Sequence, residues 1–235
     1  MTDTKPAART STETTTTRSD LDNFLADMMA TKKSDVAASG RLIFALDATM
    51  SRQETWDAAC PMQGEMFRTV ASIGGLNVQL VYYRGLDECR ASRWVTDPER
   101  LANLMTRIDC RSGHTQIGKV LTHAKRETGL LKVAAVVFVG DAFEEEADEV
   151  VPLAQQLGQL NAPVFMFQEG DDRSVEHVFR EIAKASGGAY CRFNDGSADQ
   201  LRELLKLVAT FAVGGVAALE ASKSADAVKL LSQLR

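Results

Sequence analysis

Three polar side chains follow a short apolar segment early in the chain. The run 42–46 is unbroken and preceded closely by Gly40, and Asp47, Thr49 and Ser51 come directly after it. A run of this length predicts a strand that is buried on both faces. In open α/β sheets, ligands bind beyond the carboxyl ends of the strands. Alternate side chains of an extended loop point the same way, so one carboxylate and two hydroxyls can converge on a magnesium-like cation.

The same residues also have ordinary structural explanations. Ser51 can cap a following helix, and Asp47 can accept a hydrogen bond from its own backbone in a turn. A spacing of this kind alone occurs by chance, so the metal interpretation depends on ligands supplied elsewhere in the chain.

Two later loops contain residues that match this requirement. In the segment 111–117, Gly113 allows a tight turn and Thr115 places a hydroxyl just before a predicted helix. Asp141 follows the apolar run 133–139, as Asp47 follows the first one. If the two strands are neighbours, oxygens of five residues surround one point at the sheet edge and form a partial octahedral shell: Asp47, Thr49, Ser51, Thr115 and Asp141.

The hydrophobic pattern predicts strands that alternate with helices, hence a three-layer, doubly wound α/β fold with a mainly parallel sheet and one antiparallel edge strand at 89–95. The other strands are expected at 42–46, 78–83, 133–139, 164–167 and 189–193. Helices are expected at 52–73, 98–108, 115–128, 145–160, 174–186, 197–220 and 225–234.

The chain divides into four predicted regions. Residues 1–18 form a disordered Thr/Ser-rich tail, since they contain almost no apolar side chains. Residues 19–37 contain an amphipathic helix and a linker, 38–220 form the domain, and 221–235 form a helical C-terminal tail. The N-terminal helix either packs on the domain or binds a partner.

Composition narrows the classes of function. The 235 residues have a net charge of -5 and no basic stripe, which argues against nucleic-acid binding. The four cysteines form no C-x-x-C pair and are typical of cytosolic thiols. The N-terminus lacks the pattern of a secretory signal. The most apolar stretch, about thirteen residues at 207–219, is too short to span a bilayer. We therefore expect a cytoplasmic protein without a membrane partner.

Three short motifs together resemble a known family. D-A-T-M-S after a buried strand, G-H-T before a helix and V-G-D after another strand are similar to the metal-ion-dependent adhesion site of von Willebrand factor A (vWA) domains, specifically the compact bacterial cytoplasmic type. The resemblance covers about residues 38–220, with the elements in the family's order. The sequence departs from the family in Thr49, where serine is usual, and in Ala142, where glycine is frequent.

The resemblance implies a Rossmann-like sheet and a metal site that prefers Mg²⁺ or Mn²⁺ to Ca²⁺. It assigns the metal ligands to Asp47, Thr49, Ser51, Thr115 and Asp141. It also implies a protein partner whose Asp or Glu completes the shell, such as an ATPase or another member of a multi-subunit assembly.

Two alternative functions stay open. The first is a Mg²⁺-dependent hydrolase that acts on phosphoesters. Such enzymes require a second carboxylate where this sequence has Thr49, and a lysine in the motif loops, which this sequence lacks. The second is a metal-free vWA scaffold in a multi-subunit complex. A binding module without enzymatic activity fits the motif residues best.

Four more residues near the motifs have open roles. Glu144, Glu145 and Glu146 suit the first turn of the helix that follows them, or they raise cation affinity or repel acidic partners. His114 is an ordinary loop residue or a donor and pH sensor beside the site.

Overall fold

The computed structural model describes residues 40–52, 76–193 and 198–234. All of them belong to one compact unit, Lys33–Arg235. The predicted N-terminal tail and helix, and the helix expected at 52–73 beyond its first residue, lie outside the described residues.

Within the described residues, six strands form one sheet: β1 (Gly40–Asp47), β2 (Leu76–Arg84), β3 (Glu88–Val95), β4 (Ala135–Gly140), β5 (Val164–Glu169) and β6 (Tyr190–Phe193). They lie in the order β3-β2-β1-β4-β5-β6. All neighbouring pairs are parallel except β2 and β3, which are antiparallel, as predicted for the edge strand. The mixed sheet with an antiparallel edge confirms the predicted fold class.

Six α-helices occur within the described part of the chain, each where the apolar periodicity predicts one. Asp97 and Asp172 cap two of them through their side chains, which accept main-chain N–H groups of the first turn. The helices are α1 (Pro98–Met105), α2 (Ile117–Leu130), α3 (Ala147–Gln159), α4 (Arg173–Ser186), α5 (Ala198–Ala221) and α6 (Ala225–Leu231).

Helices cover both faces of the sheet. Helices α2, α3 and α4 pack against one another, and Phe179 of α4 meets Phe138 of β4 edge to face at 5.6 Å between ring centres. Helix α5 packs on β1 and β4, and its Phe211 contacts Phe165 of β5 at 5.4 Å. Because both faces are covered, β1, β4 and β5 are buried almost throughout, which explains their unbroken apolar runs.

Helix α5 corrects one sequence expectation. Its segment Asp199–Ala221 is 23 residues long and contains an 18-residue window with a mean hydropathy of 1.7, so by length and composition it is long and apolar enough to cross a membrane. Gly215, with φ 67° and ψ -160°, interrupts the helical geometry within it. Leu204 and Val208 are nevertheless buried in the domain. A buried core helix and a membrane-spanning helix can have the same length and composition, so this segment alone is only weak evidence of a membrane span.

The C-terminal segment packs on the domain. Ala227 and Leu230 of α6 are fully buried. The side chain of Gln233 accepts the N–H of Tyr190 at 2.9 Å and donates to its carbonyl at 3.0 Å. These two bonds satisfy main-chain groups of β6, the short strand at one edge of the sheet.

Candidate metal centre

The two predicted aspartates lie on neighbouring strands. Leu46 pairs with Val139 in the parallel β1–β4 register, so Asp47 lies beside Gly140 and Asp141 is the next residue. A Cβ atom added to Gly140 would lie 3.4 Å from the Cβ of Asp47. The carboxyl ends of β1 and β4 therefore bring the two loops together, as the sequence predicts.

Asp47 is completely buried, and at least two donors hold its carboxylate. Its Oδ1 accepts the N–H of Thr49 at 2.8 Å, and its Oδ2 accepts the hydroxyl of Tyr83 at 2.8 Å. The turn proposed as the ordinary explanation for Asp47 is thus present. It does not compete with metal binding, because the two oxygens of a carboxylate offer about four acceptor positions.

Thr49 and Ser51 present their hydroxyls to each other. The two oxygens are 3.1 Å apart, with Thr49 buried and Ser51 exposed in the short 3₁₀ helix Met50–Arg52. The alternate spacing has therefore brought these two side chains to the same side of the loop. The longer helix that Ser51 could cap lies outside the described residues.

The loop that contains Thr115 is tied to the β1 loop through its main chain. Arg111 forms an isolated parallel bridge with Thr49, and its N–H donates to the carbonyl of Ala48 at 3.0 Å. Thr115 is buried, and its Oγ1 accepts the N–H of Glu144 at 2.8 Å. Thr115 is therefore joined to the loop of Asp141, which lies three residues before Glu144.

A charged network fixes the start of this loop. Arg84, which is buried at the end of β2, donates to the carbonyl of Asp109 at 2.9 Å and to its carboxylate. Burial alone would raise the pKa of the Asp109 carboxyl, but the hydrogen bond from Arg111 and the charges of Arg84 and Arg111 lower it overall. The carboxylate therefore stays ionised and anchors the loop to the sheet.

Gly113 lies where the loop passes over the β2–β3 turn. A Cβ at this position would meet the carbonyl oxygen of Gly85 at 2.0 Å, and the N–H of His114 donates to the same oxygen at 3.3 Å. Glycine is needed here because main chain contacts main chain, which is a different reason from the tight turn that the sequence predicts.

Asp141 provides the observation that bears most directly on a cation. Its Oδ1 is buried and has no hydrogen-bond partner within the described part of the protein. A buried carboxylate oxygen without a partner is costly, and a bound cation at this position would compensate it. The residues present at this edge therefore fit a divalent metal ion.

The oxygen set combines two carboxylates with three hydroxyls. Across residues 40–52, 76–193 and 198–234, no cluster of three or more His, Cys, Asp or Glu side chains has a metal-binding arrangement. Zinc and other metals that favour nitrogen or sulfur ligands are therefore poorly matched, whereas Mg²⁺ and Mn²⁺ accept carboxylate, hydroxyl and water oxygens.

Two of the three glutamates have a different structural role from the one expected. Helix α3 begins at Ala147, so Glu144 and Glu145 precede its first turn, and Glu146 at its N-cap makes no capping hydrogen bond. Glu144 and Glu145 instead bond to main-chain N–H groups at the start of α2. The favourable interaction of a carboxylate with a helix N-terminus is therefore present, but Glu144 and Glu145 make it with α2 rather than with α3.

His114 lies on the surface of the same region. Its Nδ1 is 3.4 Å from Oε2 of Glu144, and its side chain is 68% exposed. It is a surface neighbour of Glu144, whose carboxylate also bonds to the N–H of Thr115.

A large open cleft lies beside this centre without including it. The cleft has a volume of about 980 Å³ and runs along α2 toward β3 and the start of α3. Its described lining includes Gly118, Lys119 and Glu145 but none of the five candidate oxygen residues. The candidate metal centre is thus on the rim of the sheet rather than within this cleft.

Comparison with known proteins rests on structure alone. No protein-family profile matches the sequence, and neither does any curated protein. A crystal structure of an aerotolerance-related membrane protein from Bacteroides fragilis superposes with a TM-score of 0.55 at 18% identity, over 71% of this chain and 96% of that one.

Two further structures carry the domain's name. The SpRpn10 VWA domain matches with a TM-score of 0.53 at 12% identity, over 72% of this chain and 95% of that one. The vWF domain of the type V pili tip protein Mfa5 from Porphyromonas gingivalis matches with a TM-score of 0.58 at 8% identity, over 73% and 94% of the two chains. Together with the strand order and the antiparallel edge strand, these neighbours show that the chain has a Rossmann-like fold of the von Willebrand factor A type.

Proposed function

We propose that this protein is a divalent-cation-dependent protein-interaction module without enzymatic activity. The observation that supports it most directly is the buried Oδ1 of Asp141, which has no hydrogen-bond partner among the described residues. Asp141 directly follows β4, the strand next to that of Asp47. A vWA-type sheet that ends in this oxygen set is the arrangement expected for a metal-ion-dependent adhesion site.

Five residues would hold Mg²⁺ or Mn²⁺: Asp47, Thr49, Ser51, Thr115 and Asp141. The two carboxylates balance the charge of a divalent ion, while the three hydroxyls add dipoles without further charge. The bound ion would supply an open, strongly polarising coordination position. An Asp or Glu of a partner protein is the matching ligand, because Mg²⁺ and Mn²⁺ favour oxygen donors and the hydroxyls leave the ion attractive to another anion.

The structure of the rim suits a macromolecular partner. Met50 and Leu86 are exposed apolar side chains, on the loop that carries Thr49 and on the β2–β3 turn that contacts Gly113. The buried core of a protein interface is more apolar than the rest of the protein surface. We propose that the partner surface presents its acidic residue between small apolar groups.

The setting of this interaction is also a proposal. The four cysteines of the sequence are scattered without a C-x-x-C pair, and this spacing is the ground for proposing a reducing, cytoplasmic environment. We propose a bacterial cytoplasmic protein that works in a multi-subunit assembly, for example with an ATPase.

The metal is tested by thermal unfolding of the purified protein. Millimolar Mg²⁺ or Mn²⁺ should raise the melting temperature of the wild type, since a ligand that binds only the folded state stabilises it. A chelator should reverse the increase, and the folded variant Asp47→Ala should lack it. A wild type that shows no increase favours the metal-free scaffold.

The partner is tested by capture on immobilised protein in Mg²⁺. Proteins that bind the wild type, are released by chelator and fail to bind Asp47→Ala support the interaction module. Assays with a generic phosphoester test the hydrolase: turnover that requires Mg²⁺ and Asp47 would assign the site to an enzyme instead.

A further inference from the structure

Helix α2 begins without a cap of its own. Gln116 occupies its N-cap position and makes no side-chain hydrogen bond there, and the first turn of α2 contains no acidic residue. The first N–H groups of a helix have no partner within the helix and must be satisfied from elsewhere. The partners of this helix come from the loop between β4 and α3.

Glu145 bonds to two of these groups at once. Its Oε1 accepts the N–H of Ile117 at 2.5 Å, and its Oε2 accepts the N–H of Gly118 at 2.9 Å. Gly118 also leaves room for this approach, because a Cβ there would lie 3.1 Å from Oε2 of Glu145. A carboxylate at the positive end of a helix is favourable in charge as well as in geometry.

Glu144 forms a reciprocal pair with Thr115. The Oε2 of Glu144 accepts the N–H of Thr115 at 3.1 Å, and the N–H of Glu144 donates to Oγ1 of Thr115 at 2.8 Å. This is the pattern of a capping box, but it joins two segments 29 residues apart. One acceptor position of the Thr115 hydroxyl is thereby occupied, and its remaining lone pair is oriented.

We propose that Glu144 is a positioning residue for the cation site: its carboxylate holds the main chain of Thr115, so that the N–H of Glu144 meets the hydroxyl of Thr115 and fixes it relative to Asp141. Glu145 holds the start of α2 in the same frame. This inference rests on the proposed function, since it concerns how that site is assembled. It assigns Glu144 a role through hydrogen-bond geometry rather than as a ligand or as a source of negative charge.

Geometry and charge can be separated by substitution. Glu144→Gln keeps a carbonyl oxygen that can accept the N–H of Thr115 but removes the charge. Glu144→Ala removes both the acceptor oxygen and the charge. Glu146→Ala is the matched control, because Glu146 has the same charge in the same loop and makes no capping hydrogen bond.

The first measurement is Mn²⁺ affinity by titration calorimetry on the full chain. We expect Glu144→Ala to weaken Mn²⁺ binding about tenfold or more, the usual effect of losing a residue that orients a metal ligand. Glu144→Gln should stay within a few fold of the wild type, as should Glu146→Ala. Equal losses in Glu144→Gln and Glu144→Ala would show that charge, not geometry, is responsible.

The second measurement is amide hydrogen exchange in chelator, which needs no metal. Exchange at Thr115 should accelerate in Glu144→Ala, and exchange at Ile117 and Gly118 should accelerate in Glu145→Ala, because each N–H loses its acceptor. Unchanged exchange at Thr115 in Glu144→Ala overturns the positioning role.

The two proposals fail in distinguishable ways. A wild type that binds no Mn²⁺ overturns the cation site and the role of Glu144 with it. A wild type that binds Mn²⁺ together with a Glu144→Ala variant of equal affinity overturns the positioning role alone.

Discussion

The hydroxyl of Tyr83 donates a 2.8 Å hydrogen bond to Oδ2 of Asp47, and both residues are completely buried. They are direct partners in the parallel β1–β2 register. Since Oδ1 of Asp47 accepts the N–H of Thr49, both carboxylate oxygens are oriented before any ligand arrives. Tyr83 thus determines the direction in which the first candidate metal ligand points.

The variant Tyr83→Phe should show this effect. Removing the hydroxyl leaves Oδ2 of buried Asp47 without this donor, so the free energy of unfolding in chelator should fall by about 1 to 3 kcal/mol. The ring contact with Phe138, at 6.1 Å between centres, is kept by phenylalanine. The Mg²⁺-induced increase in melting temperature should also shrink. Urea unfolding with and without Mg²⁺ measures both quantities.

Tyr82→Phe is the matched control for this experiment. The Tyr82 hydroxyl is buried, and no hydrogen-bond partner for it occurs in the described ranges. Burial raises the pKa of this hydroxyl to about 12. Its removal should leave stability unchanged or slightly higher and keep the Mg²⁺ effect. A larger loss in Tyr82→Phe than in Tyr83→Phe would contradict the role given to Tyr83.

Asp141→Ala should have opposite effects on stability and on metal binding. The substitution removes a buried oxygen that lacks a partner within the described residues, so stability in chelator should stay the same or rise. The Mg²⁺-induced increase in melting temperature should disappear. Thermal unfolding in chelator and in Mg²⁺ gives both results.

The control for Asp141→Ala is Asp171→Ala. Asp171 is exposed and follows β5, the next strand in the sheet, so it belongs to the same edge. This variant should retain the full Mg²⁺ effect. Loss of the effect in both variants would indicate a general response to acidic residues at this edge rather than a site at Asp141.

The strands of the sheet could be predicted from the sequence because their apolar runs are unbroken. The runs before Asp47 and Asp141 are buried on both faces, so their apolar pattern is unbroken and their ends are clear. The sequence also predicted that the carboxyl ends of these two strands meet, since parallel strands end at the same edge of a sheet. The metal-ligand role of the five residues stays a prediction.

The contacts that support the site could not be predicted in this way. The bond between Tyr83 and Asp47 depends on the β1–β2 register, which no local pattern specifies. The bonds from Glu144 and Glu145 to α2 join segments 27 to 29 residues apart. Helix α2 was expected from 115 and begins at Ile117, because Thr115 and the residue after it are held by neighbouring segments instead. A local pattern cannot show such a partner.

Gly113→Ala should disturb the loop that carries Thr115. The new Cβ would lie 2.0 Å from the carbonyl oxygen of Gly85, so the two main chains must move apart. Overpacking of this kind costs about 1 to 3 kcal/mol. We expect lower stability in chelator and a weaker Mg²⁺ effect, both measured by thermal unfolding.

Gly129→Ala provides the comparison for Gly113→Ala. Gly129 lies in α2, and a Cβ added to it meets no atom within 4 Å. Alanine should stabilise the helix by up to about 1 kcal/mol and leave the Mg²⁺ effect intact. If Gly113→Ala were equally harmless, the close contact with Gly85 would not constrain the loop.

The pH dependence of stability should contain a contribution from His123. Its Nε2 lies 2.9 Å from Oε1 of Gln79, and its Nδ1 lies 3.1 Å from a guanidinium nitrogen of Arg126, an arrangement that suits the neutral ring. Burial lowers the pKa of His123 below its ordinary value of 6.5, the charge of Glu127 acts in the opposite direction, and Arg126 lowers it further.

The sign of the effect follows from proton uptake. As the pH falls below 6.5, the unfolded chain protonates His123 before the folded protein does, so folding stability decreases until the pH passes the lower pKa of the folded state. His123→Gln should therefore lose less stability than the wild type between about pH 7.5 and about pH 5.5. Urea unfolding across this range measures the difference, and identical profiles for His123→Gln and the wild type would contradict the assignment of the neutral form to His123.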